Sequence, residues 1–207
     1  LPFISNGCKV CSTPIRENKN PSCDVCVKYI HNQSLLDETK SLFLYKNHGK
    51  ELVIKMKKSN DQYLYNSLAK IGFNIYADFF QNIDLIIPIP IHWLTKFLRG
   101  FNQSALLSEE LSNLSKITLK KNILIKKKYT KKQSTQLYKN RFLNIKDSFL
   151  IKNNDIIKNK NILLIDDVMT TGATGNECAK LLKKNNAKLV KLFTISRTVL
   201  SENNNDY

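Results

Sequence analysis

Residues 162–177, ILLIDDVMTTGATGNE, limit what this 207-residue chain can fold into more than any other stretch. Ile162, Leu163, Leu164 and Ile165 are consecutive aliphatic side chains, the pattern of a strand buried on both faces of a parallel sheet. Asp166 and Asp167 end that predicted strand. Ligands of open α/β sheets bind at this carboxyl edge, because loops and helix N-termini converge there. Thr170, Thr171 and Thr174 then supply hydroxyls and Gly172 and Ala173 backbone N–H groups, just before a helix predicted over 177–184. Amides, hydroxyls and the positive end of a helix dipole together make a phosphate cradle. Carboxylates repel a phosphate, so the aspartate pair must grip another part of the same ligand, and vicinal sugar hydroxyls are fitting donors. The implied ligand is a sugar phosphate. The competing reading, an acidic strand end beside a helix capped by Thr174, explains the pair but not the ordered run of pair, spacer, TTGAT and helix.

That order resembles the signature with which type I phosphoribosyltransferases bind phosphoribosyl pyrophosphate (PRPP). The resemblance implies that Asp166 and Asp167 contact the ribose hydroxyls, and that Thr170, Thr171, Gly172, Ala173 and Thr174 wrap the 5-phosphate. It also implies an α/β fold of the type I phosphoribosyltransferase kind, a parallel sheet flanked by helices.

Length leaves room for one such domain and a small appendage. A formal net charge of +16 and a pI near 9.6 point to a polyanionic partner or a phosphorylated substrate. No apolar stretch approaches the length of a membrane span and residues 1–7 are too short for a signal-peptide core, so a cytoplasmic protein is expected. No Walker A sequence occurs, so a transport motor would have to be a partner ATPase.

The appendage is N-terminal. Cys8-x-x-Cys11 and Cys23-x-x-Cys26 stand eleven residues apart, and the fifth cysteine, Cys178, is remote and reads as a small packed side chain. Two such hooks can bring four thiolates onto one tetrahedral metal, and a segment this short needs a staple. Zinc is the natural occupant, in a structural role, because four thiolates leave no position for a water. Two disulfides, a redox pair and an iron site are the rival readings.

Between these ends, residues 35–44 read as a strand or hairpin and 50–58 and 63–80 as helices. The second helix carries Leu64, Leu68, Ile71, Ile75 and Phe79 as its expected core face. Lys55, Lys57 and Lys58 read as a solvated face. Residues 84–90, DLIIPIP, suit a buried strand, although a central strand would not tolerate its prolines. A loop over 92–100 with Lys96 and Arg99, followed by a helix over 104–114, forms a second anion site suited to pyrophosphate. His92 and Trp93 read as loop packing. Residues 117–125 alternate partly as a strand, 126–132 are densely basic, 187–195 supply a further strand, and 201–207 form a polar tail.

PIP, RGFNQ and TTGATGNEC, together with the four-cysteine N-terminus, resemble the ComF (ComFC) competence family, phosphoribosyltransferase-like proteins that begin with a zinc module. Thr95 is a departure, standing where the family often has arginine, with Lys96 beside it as a substitute. The resemblance implies a zinc-binding module at 1–34 and a phosphoribosyltransferase-like domain at 35–207, with a mobile hood at about 117–149. It implies structural Zn²⁺ on Cys8, Cys11, Cys23 and Cys26, and Mg²⁺ with PRPP. Asp166, Asp167 and Arg99 are then the catalytic group, with Lys96 and Arg99 on the departing pyrophosphate. The process served is natural transformation, with single-stranded DNA and a helicase-type ATPase as expected partners. Lys126, Lys127, Lys128, Lys131 and Lys132 are the nucleic-acid candidates. The alternative is a non-catalytic, DNA-binding adaptor that keeps the PRPP site as a sensor or relic.

Overall fold

A computed structural model describes residues 3–15, 22, 23, 26, 34–129 and 143–199. Lys131, Lys132, the central part of the expected hood and the polar tail lie outside the described residues. In chain order the elements are β1 (Glu38–Leu44), α1 (His48–Lys58), α2 (Gln62–Ile75), a 3-10 turn (Ala77–Phe80), β2 (Leu85–Pro88), α3 (Trp93–Arg99) and α4 (Gln103–Ser115). There follow β3 (Thr118–Leu119), β4 (Leu124–Lys126), β5 (Phe149–Ile151), a second 3-10 turn (Asn154–Ile157), β6 (Asn161–Met169), α5 (Ala173–Lys184) and β7 (Leu189–Arg197).

Five strands form one parallel sheet in the order β1-β7-β6-β2-β3, while β4 and β5 pair antiparallel in a separate two-stranded sheet. Helices pack on it, as the α/β pattern requires. Ile162, Leu163, Leu164 and Ile165 have no solvent exposure, because β6 is covered on both faces. Ile162 and Leu164 join one apolar cluster with Cys178 and Leu182 of α5. Leu163 and Ile165 join the other, with Tyr65 and Leu68 of α2 and Leu107 of α4. The period-2 alternation of a strand thus divides four successive residues between two cores.

Three expectations need correction. β2 pairs with both β6 and β3, so the proline-bearing segment is an interior strand. It tolerates Pro88 because that residue closes the strand beyond Leu85 and Ile86, the two positions paired with β3. The core face of α2 is Tyr65, Leu68, Ala69 and Gly72, whereas Ile71 and Ile75 are exposed, and the helix ends before Phe79. The expected loop holds the helix α3 (Trp93–Arg99), with the His92 ring accepting a hydrogen bond from the Leu94 amide at 3.2 Å as its N-cap.

The N-terminal segment seals the free edge of β1. Ile4 N–H donates to Leu42 O at 2.8 Å, Thr39 N–H donates to Lys9 O at 2.8 Å, and Ser41 N–H donates to Ser12 Oγ at 2.8 Å. An exposed edge would otherwise present unpaired amides as a template for another chain. The four-cysteine knuckle is therefore built into the sheet, and Cys8, Cys11 and Cys26 belong to the same buried cluster as Met169 and Ala173.

Gly72 makes a sharp test of this packing. A Cβ there would come within 2.5 Å of Phe193 Cζ in the middle of the core. Alanine in a helix interior ordinarily gains about 1 kcal/mol over glycine, but overpacking costs about 1–3 kcal/mol. Gly72→Ala should therefore lower stability in urea denaturation, and Phe193→Leu should relieve the clash in the double variant. A stabilised Gly72→Ala would mean that α2 and β7 are further apart than described.

Candidate functional site

The site follows from a difference in strand length. β2 stops at Pro88, paired with Ile165, and after one more bond, Ile89 N–H to Ile165 O at 2.9 Å, the chain leaves the sheet toward α3. β6 continues against β7 to Met169, with Asp166 paired to Thr194. Asp166 and Asp167 thus project where one neighbour has ended, inside the strand rather than just after it. Lys57 and Lys58 of α1, Thr95, Leu98 and Arg99 of α3, Gln103 and Ser104 of α4, and Lys126 and Tyr129 join them around a cleft of about 670 Å³.

The two carboxylates are held differently. Asp166 Oδ1 accepts from the Ser104 hydroxyl at 3.0 Å and from the Asp167 amide at 2.9 Å. Asp167 Oδ1 accepts from the Val168 amide at 2.7 Å, and its Oδ2 forms an ion pair with Lys57 Nζ at 3.1 Å. Burial, reinforced by the charge of Asp167, pushes the Asp166 carboxyl up to about 7. Burial likewise lowers the Lys126 ammonium from its ordinary value, while the charge of Asp166 opposes that shift. Arg99 donates from one guanidinium nitrogen to Gln103 Oε1 at 2.7 Å. Gln103 is buried, and its Nε2 finds no hydrogen-bond partner among the described residues.

The threonine-glycine loop leaves β6 directly after Met169. Gly172 has φ 78°, a left-handed conformation that favours glycine, while a Cβ there would meet only the flexible end of Met169, Cε at 2.6 Å. α5 begins at Ala173, four residues before the expected start, which puts Thr174 inside the first turn rather than at the cap. That turn has no acidic residue and no side-chain cap at Gly172, although Thr171 Oγ1 accepts from the Ala173 amide at 3.3 Å. Arg197, 2% exposed, ties the loop down. One of its guanidinium nitrogens donates to the carbonyls of Met169 at 3.2 Å and Thr198 at 2.7 Å, and also to that of Thr170.

The sulfurs of Cys8, Cys11, Cys23 and Cys26 lie within 4.8 Å of one another. A tetrahedron with metal–sulfur bonds near 2.3 Å has edges of about 3.8 Å, so the cluster fits one zinc-sized ion. Hydrogen bonding from Cys23, Cys26 and Cys8, with the Arg197 charge nearby, holds the Cys11 thiol well below its ordinary range. Cys178 is fully buried, which raises its thiol well above the ordinary value, in keeping with a packed side chain.

The structure therefore brings Asp166, Asp167 and Arg99 together in one cleft. The loop 170–174 lies beyond the residues lining it, and Lys96 is exposed on α3 away from the lining, where Thr95 stands instead. Lys126 lines the cleft beside Asp166, while Lys127 and Lys128 are exposed. Lys57, Ser104 and Arg197 are the residues that sequence reasoning missed. Lys57 corrects the solvated-face reading of the α1 lysines, and its one signal was the basic last turn of that helix.

With this geometry goes a family. The chain matches the phosphoribosyl transferase domain over residues 60–204. It is 31% identical to Competence protein F of Haemophilus influenzae, over 70% of this chain and 66% of that protein. It is also 31% identical to Competence protein ComFC of Bacillus subtilis, over 85% of this chain and 71% of that one. The chain thus belongs to the ComF competence family of phosphoribosyl transferase domain proteins, spanning about two thirds of the first relative's length. Among solved structures, adenine phosphoribosyltransferase from Leishmania tarentolae is similar at 14% identity, over 70% of this chain and 74% of that one, with a TM-score of 0.43.

The raised Asp166 carboxyl has a cost in stability. The folded protein keeps a proton that the unfolded chain releases between about pH 4 and 7, so this group lowers stability as pH rises through that window. Asp166→Asn should be more stable than the parent at pH 8, by on the order of 1–3 kcal/mol, with the difference shrinking toward pH 4. Urea denaturation at pH 5, 6.5 and 8 reads this directly, and a pH-independent difference would contradict it.

Proposed function

We propose that the cleft binds PRPP with Mg²⁺, and that the protein is a phosphoribosyltransferase-like component of DNA uptake in natural transformation. The observation that carries this reading is the placement of two differently held carboxylates on the sheet edge, with Arg99 lining the same cleft and the α5 N-terminus beginning six residues after Asp167. Asp166 and Asp167 accept hydrogen bonds from the ribose hydroxyls and stabilise positive charge on the ring as the bond at C1 lengthens. Thr170, Thr171, Gly172, Ala173 and Thr174 receive the 5-phosphate at the α5 N-terminus. Arg99 and Lys57 neutralise the departing pyrophosphate, a role in which Lys57 takes the place expected of Lys96. Mg²⁺ bound with the ligand supplies further positive charge, and the same two carboxylates are the hard oxygen donors at hand.

In the N-terminal knuckle we infer zinc, held by Cys8, Cys11, Cys23 and Cys26 in a structural role. Single-stranded DNA is the polyanion that the charge of +16 serves, in the cytoplasm and alongside a helicase-type ATPase. The names of the competence relatives support the process, and the absence of any helix long and apolar enough to cross a membrane among the described residues is compatible with it.

PRPP with Mg²⁺ should raise the melting temperature, since a ligand of the folded state at a hundredfold excess over Kd adds about 2.7 kcal/mol. Asp166→Asn with Asp167→Asn should lose most of that shift, because an amide keeps the shape and loses the charge. Ribose 5-phosphate should shift less, as it cannot reach Arg99. No shift for the wild type, or an equal shift for the double variant, would favour the adaptor reading. Native mass spectrometry should find one zinc per chain in protein purified without added metal, and iron alone or two disulfides would overturn the metal assignment.

A further inference from the structure

α3 is unusual in burying none of its residues. Trp93 is 69% exposed, Phe97 80% and Leu98 75%, so the helix spends its apolar side chains on solvent. Trp93 and Phe97 are four residues apart and share one side of the helix, about 6 Å apart along its axis. Two further rings continue the row toward the cleft. The His92 ring centroid lies 5.5 Å from that of Trp93 and 5.3 Å from that of Tyr129, which is itself 49% exposed. Exposed cations stand beside these residues in the chain or the cleft: Lys96 between Trp93 and Phe97 in sequence, Lys127 and Lys128 immediately before Tyr129, and Lys58, which lines the cleft with His92, Leu98 and Tyr129.

We propose that Trp93 and Phe97 form a base-stacking platform for single-stranded nucleic acid, whose phosphates run along these lysines at the mouth of the cleft. The proposal rests on the DNA reading above and names the surface and the mode of recognition. Flat rings interleaved with mobile cations are the two components that binding of an unpaired strand requires, since each base offers a π-face and each linkage a charge. A second copy of this chain is a poor occupant. A two-fold contact through α3 would bring lysines against lysines, and like charges across an interface are repulsive. A protein partner with an apolar face is disfavoured too, because interface cores are depleted of lysine. Stacking also separates this mode from a purely electrostatic one: part of the affinity resides in the bases and persists as salt rises.

Trp93 is the single tryptophan of the chain, so its fluorescence reports on this platform alone. Titration with an oligothymidylate should quench it in a saturable way, whereas an abasic strand of equal length and charge should quench little. Trp93→Ala and Phe97→Ala should each weaken oligothymidylate binding roughly 5- to 100-fold, read by anisotropy of a labelled strand. The salt slope should stay unchanged, because no phosphate contact is lost, and Trp93→Phe should retain most of the affinity. Both alanine variants should melt close to the parent, since both side chains are largely exposed. Salt-dependent binding with no quenching, and with both alanine variants equal to wild type, would overturn the platform while leaving the DNA reading intact. No binding of either strand would overturn both. A Trp93 signal that changes with protein concentration in the absence of DNA would assign the surface to a second copy instead.

Discussion

Because β2 stops at Pro88 while β6 runs on to Met169 against β7, the sheet has a step at its carboxyl edge, and both carboxylates stand on it. That step depends on β6 being gripped firmly from the other side. Arg197, at the end of β7, makes this grip by holding the carbonyls of Met169 and Thr170 where the strand turns into the loop. A buried guanidinium is costly unless its donors are satisfied, and here a single nitrogen serves three carbonyls while Nε has no partner among the described residues. That arginine thereby fixes the first two carbonyls of the loop that leads to the αL turn at Gly172 and the start of α5.

The same residue links the site to the N-terminus. Its charge adds to the hydrogen bonds from Cys23, Cys26 and Cys8 that lower the Cys11 thiol, and Cys8, Cys11 and Cys26 share their apolar surroundings with Met169 and Ala173 at the two ends of the threonine-glycine loop. Asn176 in the first turn of α5 accepts the Leu35 amide at 2.8 Å, so the linker behind the knuckle is tied to that helix as well. The four-cysteine knuckle is thus a wall of the loop's support rather than a separate bead on the chain. Gathering two adjacent carboxyls in a cleft with Lys57 and Lys126, at the cost of a raised Asp166, would gain little in a protein selected for stability alone. Perturbed groups gathered in a cleft are the usual mark of a site at work.

Much of this was legible in the sequence, for physical reasons that differ by element. Ile162 to Ile165 could be read because a doubly buried strand excludes polar side chains altogether. The cysteine hooks could be read because the geometry of four thiolates is encoded in local spacing. Lys57 could not, since a lysine in a basic helix end looks the same whether it faces water or a carboxylate more than a hundred residues away in sequence. Arg197 ends the run LVKLFTISR, and nothing local in the sequence says that this terminal cation is buried beside β1 and turned onto the carbonyls of the β6 end. The buried face of α2 differs from the apolar periodicity because Gly72 admits Phe193 and Ala69 is buried one turn before it, and small residues do not register in a search for such periodicity.

A crystal structure with PRPP and Mg²⁺ tests the central claim most directly. The ribose hydroxyls should lie within hydrogen-bonding distance of Asp166 and Asp167, the 5-phosphate within the loop from Thr170 to Thr174, and Lys57 should have left Asp167 for the pyrophosphate. A ligand seated elsewhere, or one whose phosphate avoids the α5 N-terminus while Lys57 keeps its contact with Asp167, would contradict it.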